Sequence, residues 1–329
     1  MYNPKTLQDA IKFYGNPDNC QAFMMARRWP DGKVTCPTCA RDDVRYISTR
    51  RMWECKAIHA KRQFSVKVGT VMEDSPIALE KWLLAFWQLA NCKNGISSYE
   101  IASAIGVTQK SAWFMMHRIR LAMKDKSGRK LGGGNDATEV DESFIGGKLK
   151  NMHRSRRLAL NVLKHDGLPK NETKTLVAGL LDREAGKVRA EIIPNRERAT
   201  LDSIVRNHVK FGSLVYTDDH IGYIGLRSRF THEAINKKVE GYIRGRVHTN
   251  GIENFWSLLK RGLAGTYVSV EPMHLARYLD EQVFRYNNRK DGDRKKTAYE
   301  RFELATSQIL GRRLTYAELT GKVGVHEAN

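Results

Sequence analysis

The stretch HTNGIENFWSLLKRGLAGTY, residues 248–267, has the spacing of an amphipathic helix. Its apolar positions follow at i, i+3, i+4 and i+7, so that they form one stripe on a helix. The stripe consists of Ile252, Phe255, Trp256 and Leu259. Glu253 and Lys260 share a second face that borders this stripe. The position of the Glu253 carboxylate beside this core-facing stripe has two interpretations.

The first interpretation is local. With Asn250 as N-cap and Glu253 at the third helical position, the two side chains would form a capping box that satisfies free backbone N–H groups. Glu253 would then only begin the helix. The second interpretation gives Glu253 acidic partners elsewhere in the chain.

The composition favours a polyanionic partner. The 329 residues are enough for two or three domains, and 56 lysines and arginines against 36 acidic residues give a net charge of +20. Nucleic acid is the first candidate partner and a membrane surface the competitor. No apolar run approaches the ~20 residues of a spanning helix, and the polar N-terminus has no signal peptide. We therefore expect a cytoplasmic protein without a membrane partner.

Four residues have the spacing C-x2-C-x15-C-x3-H of a metal site; they are Cys36, Cys39, Cys55 and His59. Two thiolates separated by two residues on a tight turn reach one tetrahedral zinc, and two such turns close a structural site. A zinc ribbon more often ends C-x2-C, but Ile58 stands in that place, so His59 is the preferred fourth ligand. The alternative leaves His59 in solvent and Cys55 simply buried.

A helix-turn-helix follows a strongly apolar helix at residues 79–92. In GISSYEIASAIGVTQKSAWFMMHRIRLAM, residues 95–123, Ser98 caps a short helix that runs through Ala104, and Thr108 caps a longer one. The inner face of the longer helix is Ala112, Met115, Met116, Ile119 and Met123. The side chains expected to point outward and bind DNA are Lys110, Phe114, His117 and Arg118. Such pairs also occur as plain packing units, but the charge of the chain favours DNA binding.

The glycine-rich stretch DKSGRKLGGGND, residues 125–136, is the best domain boundary. Strand-like segments follow at residues 137–147, 173–194 and 212–219, the second a hairpin that turns at residues 183–186. Helical patterns lie at residues 200–210, 252–262 and 272–287. The chain after Asn288 is basic and polar.

Two aspartates lie where partners of Glu253 are needed. Asp141 belongs to the strand-like TEVDESFIGG, and Asp218 ends the apolar strand SLVYTD just before a loop. Two aspartates on neighbouring strands and a glutamate on a later helix can converge on two divalent ions ~4 Å apart. Their hard oxygen ligands suit Mg²⁺ or Mn²⁺.

Each aspartate also has a plainer interpretation. Asp141 could be a surface charge near a strand end, with Glu139 or Glu142 as equal candidates for its role. Asp218 could form an Asx turn, with Asp219 competing for any metal. Singly these interpretations are preferred, whereas the three acidic residues together favour the metal site.

The sequence resembles the DDE transposases of bacterial insertion sequences, in the group with an N-terminal zinc ribbon and an ISXO-type catalytic domain. The resemblance covers nearly the whole chain. It is carried by RWPDGKVTCPTC, QFSVKVGTVMEDS, KNGISSYEIASAIGVTQKSAWFMMHRIRLAM, EVDESFIGGK, YTDDHIGY, HTNGIENFWSLLKRGLAGTY and LDEQVFRYNNR.

The resemblance implies a catalytic domain like ribonuclease H, with an acidic triad of Asp141, Asp218 and Glu253. It implies that the basic residue one heptad later, Lys260, also belongs to the site and meets the phosphate backbone of the bound transposon end. The ending C-x3-H is similar to a variant within the group, which supports His59 as the fourth zinc ligand.

The expected architecture is multidomain α/β. It comprises a lead-in and zinc ribbon at residues 1–70, a helix-turn-helix region at 71–130, a ribonuclease-H-like mixed-sheet catalytic domain at 131–290 and a basic tail at 291–329. The implied function is that of a transposase, which binds terminal inverted repeats and target sites in double-stranded DNA and catalyses cleavage and strand transfer. Synapsis of two ends implies a homodimer or larger assembly. The alternatives are a DNA-binding regulator with an inactive remainder and a stand-alone metal-dependent nuclease of the same fold.

Overall fold

The computed structural model describes residues 2–147 and 174–322. The chain forms two compact units, one from Met1–Lys124 together with Asn288–Asn329 and the other from Asp125–Asn287. Lys148, which ends the motif EVDESFIGGK, and Thr173, which begins the expected hairpin segment, lie outside the described residues.

The first unit begins with two helices, α1 (Leu7–Tyr14) and α2 (Pro17–Arg28). From Cys20 to about Gly69 the sequence pattern predicts turn-rich structure, but residues 20–28 belong to α2. Asn16 caps this helix, proline at its first position favours the helical backbone, and Cys20 and Phe23 belong to its buried face.

Three short strands follow, namely β1 (Val44–Ile47), β2 (Met52–Cys55) and β3 (Gln63–Phe64). They form an antiparallel sheet in the order β1-β2-β3. The rings of Trp53 and Phe64 stack across β2 and β3 at 6.0 Å. The sheet places Cys55 at the end of its central strand.

Three further helices follow in the N-terminal part of the first unit, namely α3 (Leu79–Asn91), α4 (Ser98–Ile105) and α5 (Gln109–Met123). The two predicted helices α4 and α5 form, but the N-cap of α4 is Ser97, whose hydroxyl accepts from the Glu100 backbone, and Ser98 is already helical. Gly106 has a φ of +63°, a left-handed conformation that ends α4, and the Thr108 side chain accepts a hydrogen bond from the backbone N–H of Ser111 at 3.2 Å. The expected inner face of α5 is buried along its whole length.

The expected outer face of α5 is wrong for two of its four residues. His117 is 0% and Arg118 5% exposed. The Arg118 guanidinium lies over the rings of Phe114 at 5.0 Å and Trp82 at 5.7 Å, and it donates to the Glu73 carbonyl. Aromatic stacking and this hydrogen bond therefore replace solvent around a side chain whose polarity predicts exposure. Lys110 is exposed and Phe114 is half-buried.

The second unit is built on five strands, namely β4 (Thr138–Ile145), β5 (Thr175–Asp182), β6 (Lys187–Ile192), β7 (Leu214–Asp218) and β8 (Thr231–Ile235). They lie in the order β6-β5-β4-β7-β8. β4, β5 and β6 pair antiparallel, whereas β7 lies parallel to β4 and β8 parallel to β7. The predicted mixed sheet is confirmed.

Helices cover both faces of this sheet: α6 (Arg198–His208), α7 (Asn250–Gly265) and α8 (Leu275–Asn287). Alternation along β5 divides its side chains, so that Val177 and Leu181 contribute to the core beneath α7 while Leu180 packs in the core with α6. The predicted stripe of α7 is fully buried; its members are Ile252, Phe255, Trp256 and Leu259.

Gly179 allows α7 to approach the sheet closely. A Cβ at this position would lie 2.4 Å from Cζ2 of Trp256 and 2.9 Å from Cδ1 of Ile252, closer than packed atoms tolerate. Asp141 lies directly opposite Gly179 in the β4–β5 register. The absent side chain therefore leaves space for the Trp256 ring beside Asp141.

The sequence does not predict β8 or the 3-10 helix Ile221–Ser228 that precedes it. β8 is an edge strand with only one fully buried residue, Ile235, so it lacks the apolar alternation that marks an inner strand. Within the described ranges, no helix is long and apolar enough to cross a membrane.

The C-terminal segment completes the first unit with β9 (Lys290–Asp291), β10 (Arg294–Lys295), α9 (Ala298–Ser307) and α10 (Tyr316–Leu319). The expectation of a polar tail is wrong here. Phe302 on α9 is fully buried, and its ring centroid lies 5.3 Å from those of Phe23 and Trp87. A capping box between Thr297 and Glu300 begins α9.

Candidate active site and metal centre

Asp141 lies in the middle of β4, on the face covered by α7. Its Oδ2 accepts a hydrogen bond from Nε1 of Trp256 at 3.1 Å. Burial raises the pKa of Asp141, the charges of Glu142, Asp218 and Glu253 add to this effect and Lys237 opposes it, so that the pKa reaches about 7. The electrostatic effect of Asp218 and Glu253 on Asp141 indicates that the structure brings these three carboxylates together.

Asp218 is the last residue of β7, which runs parallel to β4. Its Oδ1 accepts the backbone N–H of His220 at 3.2 Å, which is the Asx turn of the plainer interpretation. Its Oδ2 lies 3.7 Å from Nη2 of Arg196. The turn therefore coexists with a carboxylate directed toward its neighbours. Asp219, the competing residue, is exposed.

Glu253 lies in the first turn of α7, but the expected capping box is wrong. The N-cap is Thr249, and Asn250 is already the first helical residue. The Thr249 hydroxyl donates to Oε1 of Glu253 at 3.0 Å, and Lys237 donates to the same oxygen. Glu253 is thus held by side chains around the site and takes no part in backbone capping.

The sequence does not predict the role of Lys237, which lies two residues beyond β8. Burial lowers the pKa of its ammonium, but the hydrogen bond to Glu253 and the charges of Glu253, Asp141 and Asp218 outweigh burial and raise it. Lys237 therefore lies within electrostatic reach of all three acidic side chains. Because β8 itself is not predicted, no sequence signal places this lysine near Glu253.

The two other carboxylates of β4 are both buried, with side chains 1% exposed. Glu142 accepts from Nε of Arg196 at 2.9 Å and from the Tyr223 hydroxyl. Glu139 accepts from Nε of Arg183 at 2.7 Å. Each is thus paired with a guanidinium, whereas the Asp141 carboxylate accepts from the neutral Trp256 side chain.

Lys260 and Lys110 are exposed basic residues. Lys260 lies two turns after Glu253 on α7. The Lys110 ammonium lies 4.9 Å from the centroid of the Tyr316 ring. The ring of Phe114 packs against the same tyrosine, with the two centroids 5.5 Å apart. Both lysines are placed where a phosphate can reach them.

A second cluster lies in the first unit and comprises Cys36, Cys39, Cys55 and His59. One potential ligand atom from each lies within 4.8 Å of all the others. Sγ of Cys36 is 3.5 Å from Nε2 of His59, and Sγ of Cys39 is 3.6 Å from Sγ of Cys55. These spacings fit the edges of a tetrahedral zinc site, whose metal–ligand distances are ~2.0–2.3 Å.

The imidazole of His59 is oriented for such a site. Its Nδ1 lies 2.7 Å from the carbonyl oxygen of Ala60, so that Nδ1–H donates and Nε2 faces the thiols. Burial alone would raise the pKa of Cys36, but hydrogen bonds from the Cys39 and Thr38 backbone lower it to about 7. A thiol that ionises readily suits a metal ligand. The donor set therefore fits structural zinc.

The chain matches two family models. Residues 130–287 match the ISXO2-like transposase domain, and residues 15–59 match the transposase zinc-ribbon domain. The first match contains Asp141, Asp218 and Glu253, and the second ends at His59.

Two relatives and one solved structure are similar to the chain. A protein of Halobacterium salinarum, described as an uncharacterized protein in transposable element ISH50, is 30% identical over 262 residues, which cover 77% of this chain and 85% of the relative. An uncharacterized transposase-like protein of Haemophilus influenzae is 38% identical over 103 residues, covering 31% of this chain and 82% of the relative. The catalytic core domain of BIV integrase aligns with 51% of this chain and 93% of its own, at 17% identity and a TM-score of 0.30.

The fold assignment rests on the strand order and on the family matches together. The transposable-element relative is matched over most of its length, and the two matched domains follow each other in the predicted order. The chain therefore belongs to the ISXO2-like family of insertion-sequence DDE transposases that carry an N-terminal zinc ribbon.

Proposed function

We propose that this protein is an active transposase that binds the terminal inverted repeats of its element and catalyses DNA cleavage and strand transfer. The observation that carries the proposal is that Asp218 and Glu253 both act electrostatically on Asp141, and that Lys237, which donates to Glu253, interacts with all three carboxylates. Burial, and after it the charges of neighbouring carboxylates, raises the pKa of Asp141 to about 7, and strongly shifted carboxylates of this kind cluster at functional sites.

We assign Asp141, Asp218 and Glu253 as ligands of two Mg²⁺ or Mn²⁺ ions, which fit a donor set made only of carboxylate oxygens. When bound, such ions activate a water or a 3′-hydroxyl and stabilise the leaving oxygen of an in-line phosphoryl transfer. The like charges that raise the pKa of Asp141 are the feature that a cation would relieve.

The surrounding side chains hold these carboxylates in place. Trp256 fixes one oxygen of Asp141, and Thr249 fixes one oxygen of Glu253. Arg196 is bound to Glu142 and stays near Asp218, so that it offsets charge on that side of the site. Preorganised carboxylates of this kind lose little entropy when a cation arrives.

Lys260 is proposed to contact the phosphate backbone of the bound transposon end. At a rise of 1.5 Å per residue, it lies ~10 Å along the helix axis from Glu253. It is exposed, whereas the apolar stripe of α7 is buried. The helix thus directs one charge toward the reacting centre and the other toward the DNA beside it.

We propose that the first unit binds the end sequence through its helix-turn-helix and its zinc ribbon. Lys110 on α5 is the exposed member of the expected reading face, and Phe114 is the half-buried one. Since His117 and Arg118 are buried, we assign them no direct contact with bases. Joining two ends of one element requires two active sites, which supports a dimer or larger assembly.

A single reaction tests the proposal. The full chain is incubated with Mg²⁺ and a duplex that carries the end of its element, with a second duplex as target. Joined products would support the transposase. Cleavage without joining would instead identify a nuclease, and binding without either reaction would identify a regulator.

A further inference from the structure

We propose that Glu139 is a positioning residue, which holds the first turn of α7 against β4 and thereby sets the place of Glu253. The inference rests on the proposed function, because it concerns the helix that carries one of the three proposed metal ligands. Glu139 lies two residues before Asp141, on the same face of β4.

Glu139 caps α7 from a distant part of the chain. Its Oε2 accepts the backbone N–H of Ile252 at 2.8 Å, across 113 residues of sequence. Ile252 is the third residue of α7, a position whose N–H has no partner within the helix and usually takes an N-cap side chain. The N-cap here, Thr249, makes no such bond and instead donates to Glu253. The capping role therefore passes from Thr249 to Glu139.

The start of α7 is shaped to admit this carboxylate. A Cβ on Gly251 would lie 2.9 Å from Oε2 and 3.0 Å from Oε1 of Glu139. Carboxylate and backbone are thus in direct contact, and a side chain at this position would separate them. The negative charge also meets the positive end of the helix dipole.

Arg183 links Glu139 to the loop that precedes α7. Its Nε donates to Oε1 of Glu139 at 2.7 Å. Its two terminal nitrogens donate to the carbonyls of Arg246 at 2.8 Å and His248 at 2.7 Å, in the loop that leads into α7. One buried ion pair therefore fixes both the end of the loop and the first turn of the helix. We call Glu139, Arg183 and Gly251 the α7 clasp.

The clasp and the Trp256 contact bracket Glu253. Glu139 holds the backbone of Ile252, and Asp141 accepts from the Trp256 side chain one turn later. Glu253 lies between these two attachments. Loss of the contact between Glu139 and Ile252 would let the helical turn that carries Glu253 move. The contact between Asp141 and Trp256, and the rest of the core, would remain.

The test compares three variants of the full chain with the wild type. Glu139→Gln keeps the size of the side chain but leaves one acceptor for two donors. Gly251→Ala breaks the same contact from the helix side. Asp182→Asn is the matched control, since Asp182 is also buried and accepts two backbone N–H groups, from Gly132 at 2.8 Å and Ala185 at 2.9 Å, but by alternation its side chain shares the face of Leu180, opposite the face beneath α7.

Two measurements are made on each protein: hydrogen exchange of the Ile252 amide and titration with Mn²⁺ as the probe metal. We expect both clasp variants to raise Ile252 exchange and to weaken Mn²⁺ binding by on the order of tenfold, the usual effect of losing a residue that orients a ligand. Asp182→Asn should change neither, even where it lowers the midpoint of unfolding.

The outcomes separate this inference from the proposed function. Faster exchange with unchanged Mn²⁺ affinity would reduce Glu139 to a helix cap and overturn the positioning role. Unchanged exchange would overturn the clasp whatever the metal does. If the wild type binds no Mn²⁺, the proposed function fails, and the exchange of Ile252 alone then decides whether Glu139 positions α7.

Discussion

The ammonium group of Lys237 and the hydroxyl group of Thr249 donate to the same oxygen of Glu253. Asp141 and Asp218 also act electrostatically on this ammonium. In the absence of metal, Lys237 therefore supplies positive charge at the place where the three carboxylates meet. A divalent ion that binds there has to compete with it.

Removing this charge should tighten metal binding. Above the pKa of Asp141, Lys237→Ala should bind Mn²⁺ more tightly than the wild type, roughly tenfold, since one like charge at close range is removed. Isothermal titration at about pH 8 measures the effect. The neighbouring Lys238, which is exposed, provides the control, and Lys238→Ala should bind as the wild type does. Weaker binding by Lys237→Ala would show that the lysine assists the metal.

The raised pKa of Asp141 predicts how stability depends on pH in protein that holds zinc but no Mg²⁺ or Mn²⁺. Since burial raises this pKa from 3.8 to about 7, the folded chain keeps a proton that the unfolded chain has already lost. The free energy of unfolding should therefore fall as the pH rises through that range and level off above it. Denaturant titrations at about pH 5 and about pH 8 measure the fall. Asp141→Asn should diminish it, and an equal fall in both proteins would contradict the assignment.

Close packing at Gly179 predicts a loss of stability on adding one methyl group. Gly179→Ala should lower the free energy of unfolding by about 1–3 kcal/mol, because its Cβ meets the Trp256 ring. Gly265→Ala is the control within α7, where a Cβ meets nothing within 4 Å and alanine favours the helix. Denaturant unfolding compares the two. A neutral Gly179→Ala would show that α7 shifts without cost.

The zinc cluster predicts a local effect of losing one thiol. Cys36→Ser should release zinc, disorder the ribbon and weaken binding to the element's ends, while the mixed sheet keeps its own core. Metal analysis and DNA-binding titrations measure these effects. Cys92→Ser, outside the cluster, should retain the metal. Wild-type protein purified without chelator that holds no zinc would refute the proposal.

We expect substitutions on α5 to have two different effects, one on DNA binding and one on stability. Lys110→Ala should weaken end binding and reduce the slope of log affinity against log salt by about one, as the loss of one phosphate contact does. Arg118→Ala should instead lower the melting temperature, because its guanidinium packs between two aromatic rings. A changed sequence preference in a stably folded Arg118→Ala would return this residue to the reading surface.

Local patterns in the sequence predict much of the fold. The i, i+3, i+4 and i+7 spacing marks the buried face of α7, and Thr108 marks the start of α5, because both depend on a few neighbouring residues. The hairpin turn before β6 is predicted for the same reason. The prediction that His117 and Arg118 are exposed is wrong. A polar side chain on a helix is expected in solvent, whereas both are buried here and Arg118 lies over the ring of Trp82 on α3.

The residues of the candidate site likewise fall into those that the sequence identifies and those that it does not. Asp141, Asp218 and Glu253 are identified by the elements that carry them and by the resemblance to a family. Lys237, Glu139 and Arg196 are not, because their roles come from contacts across the fold, the longest of them spanning 113 residues. Glu139 also carries a carboxylate and lies on the same strand as the proposed metal ligand Asp141, and its partners distinguish the two.

The central claim is that Glu253 is a metal ligand in a DNA-joining reaction. The most direct measurement places wild type, Glu253→Gln and Asp219→Asn with an end-containing duplex and Mg²⁺, and scores binding, cleavage and joining. We expect Glu253→Gln to bind the end as well as the wild type does but neither to cut nor to join it, whereas the exposed Asp219→Asn should do both. If Glu253→Gln cuts and joins as the wild type does, Glu253 is not part of the reacting centre and the account is wrong.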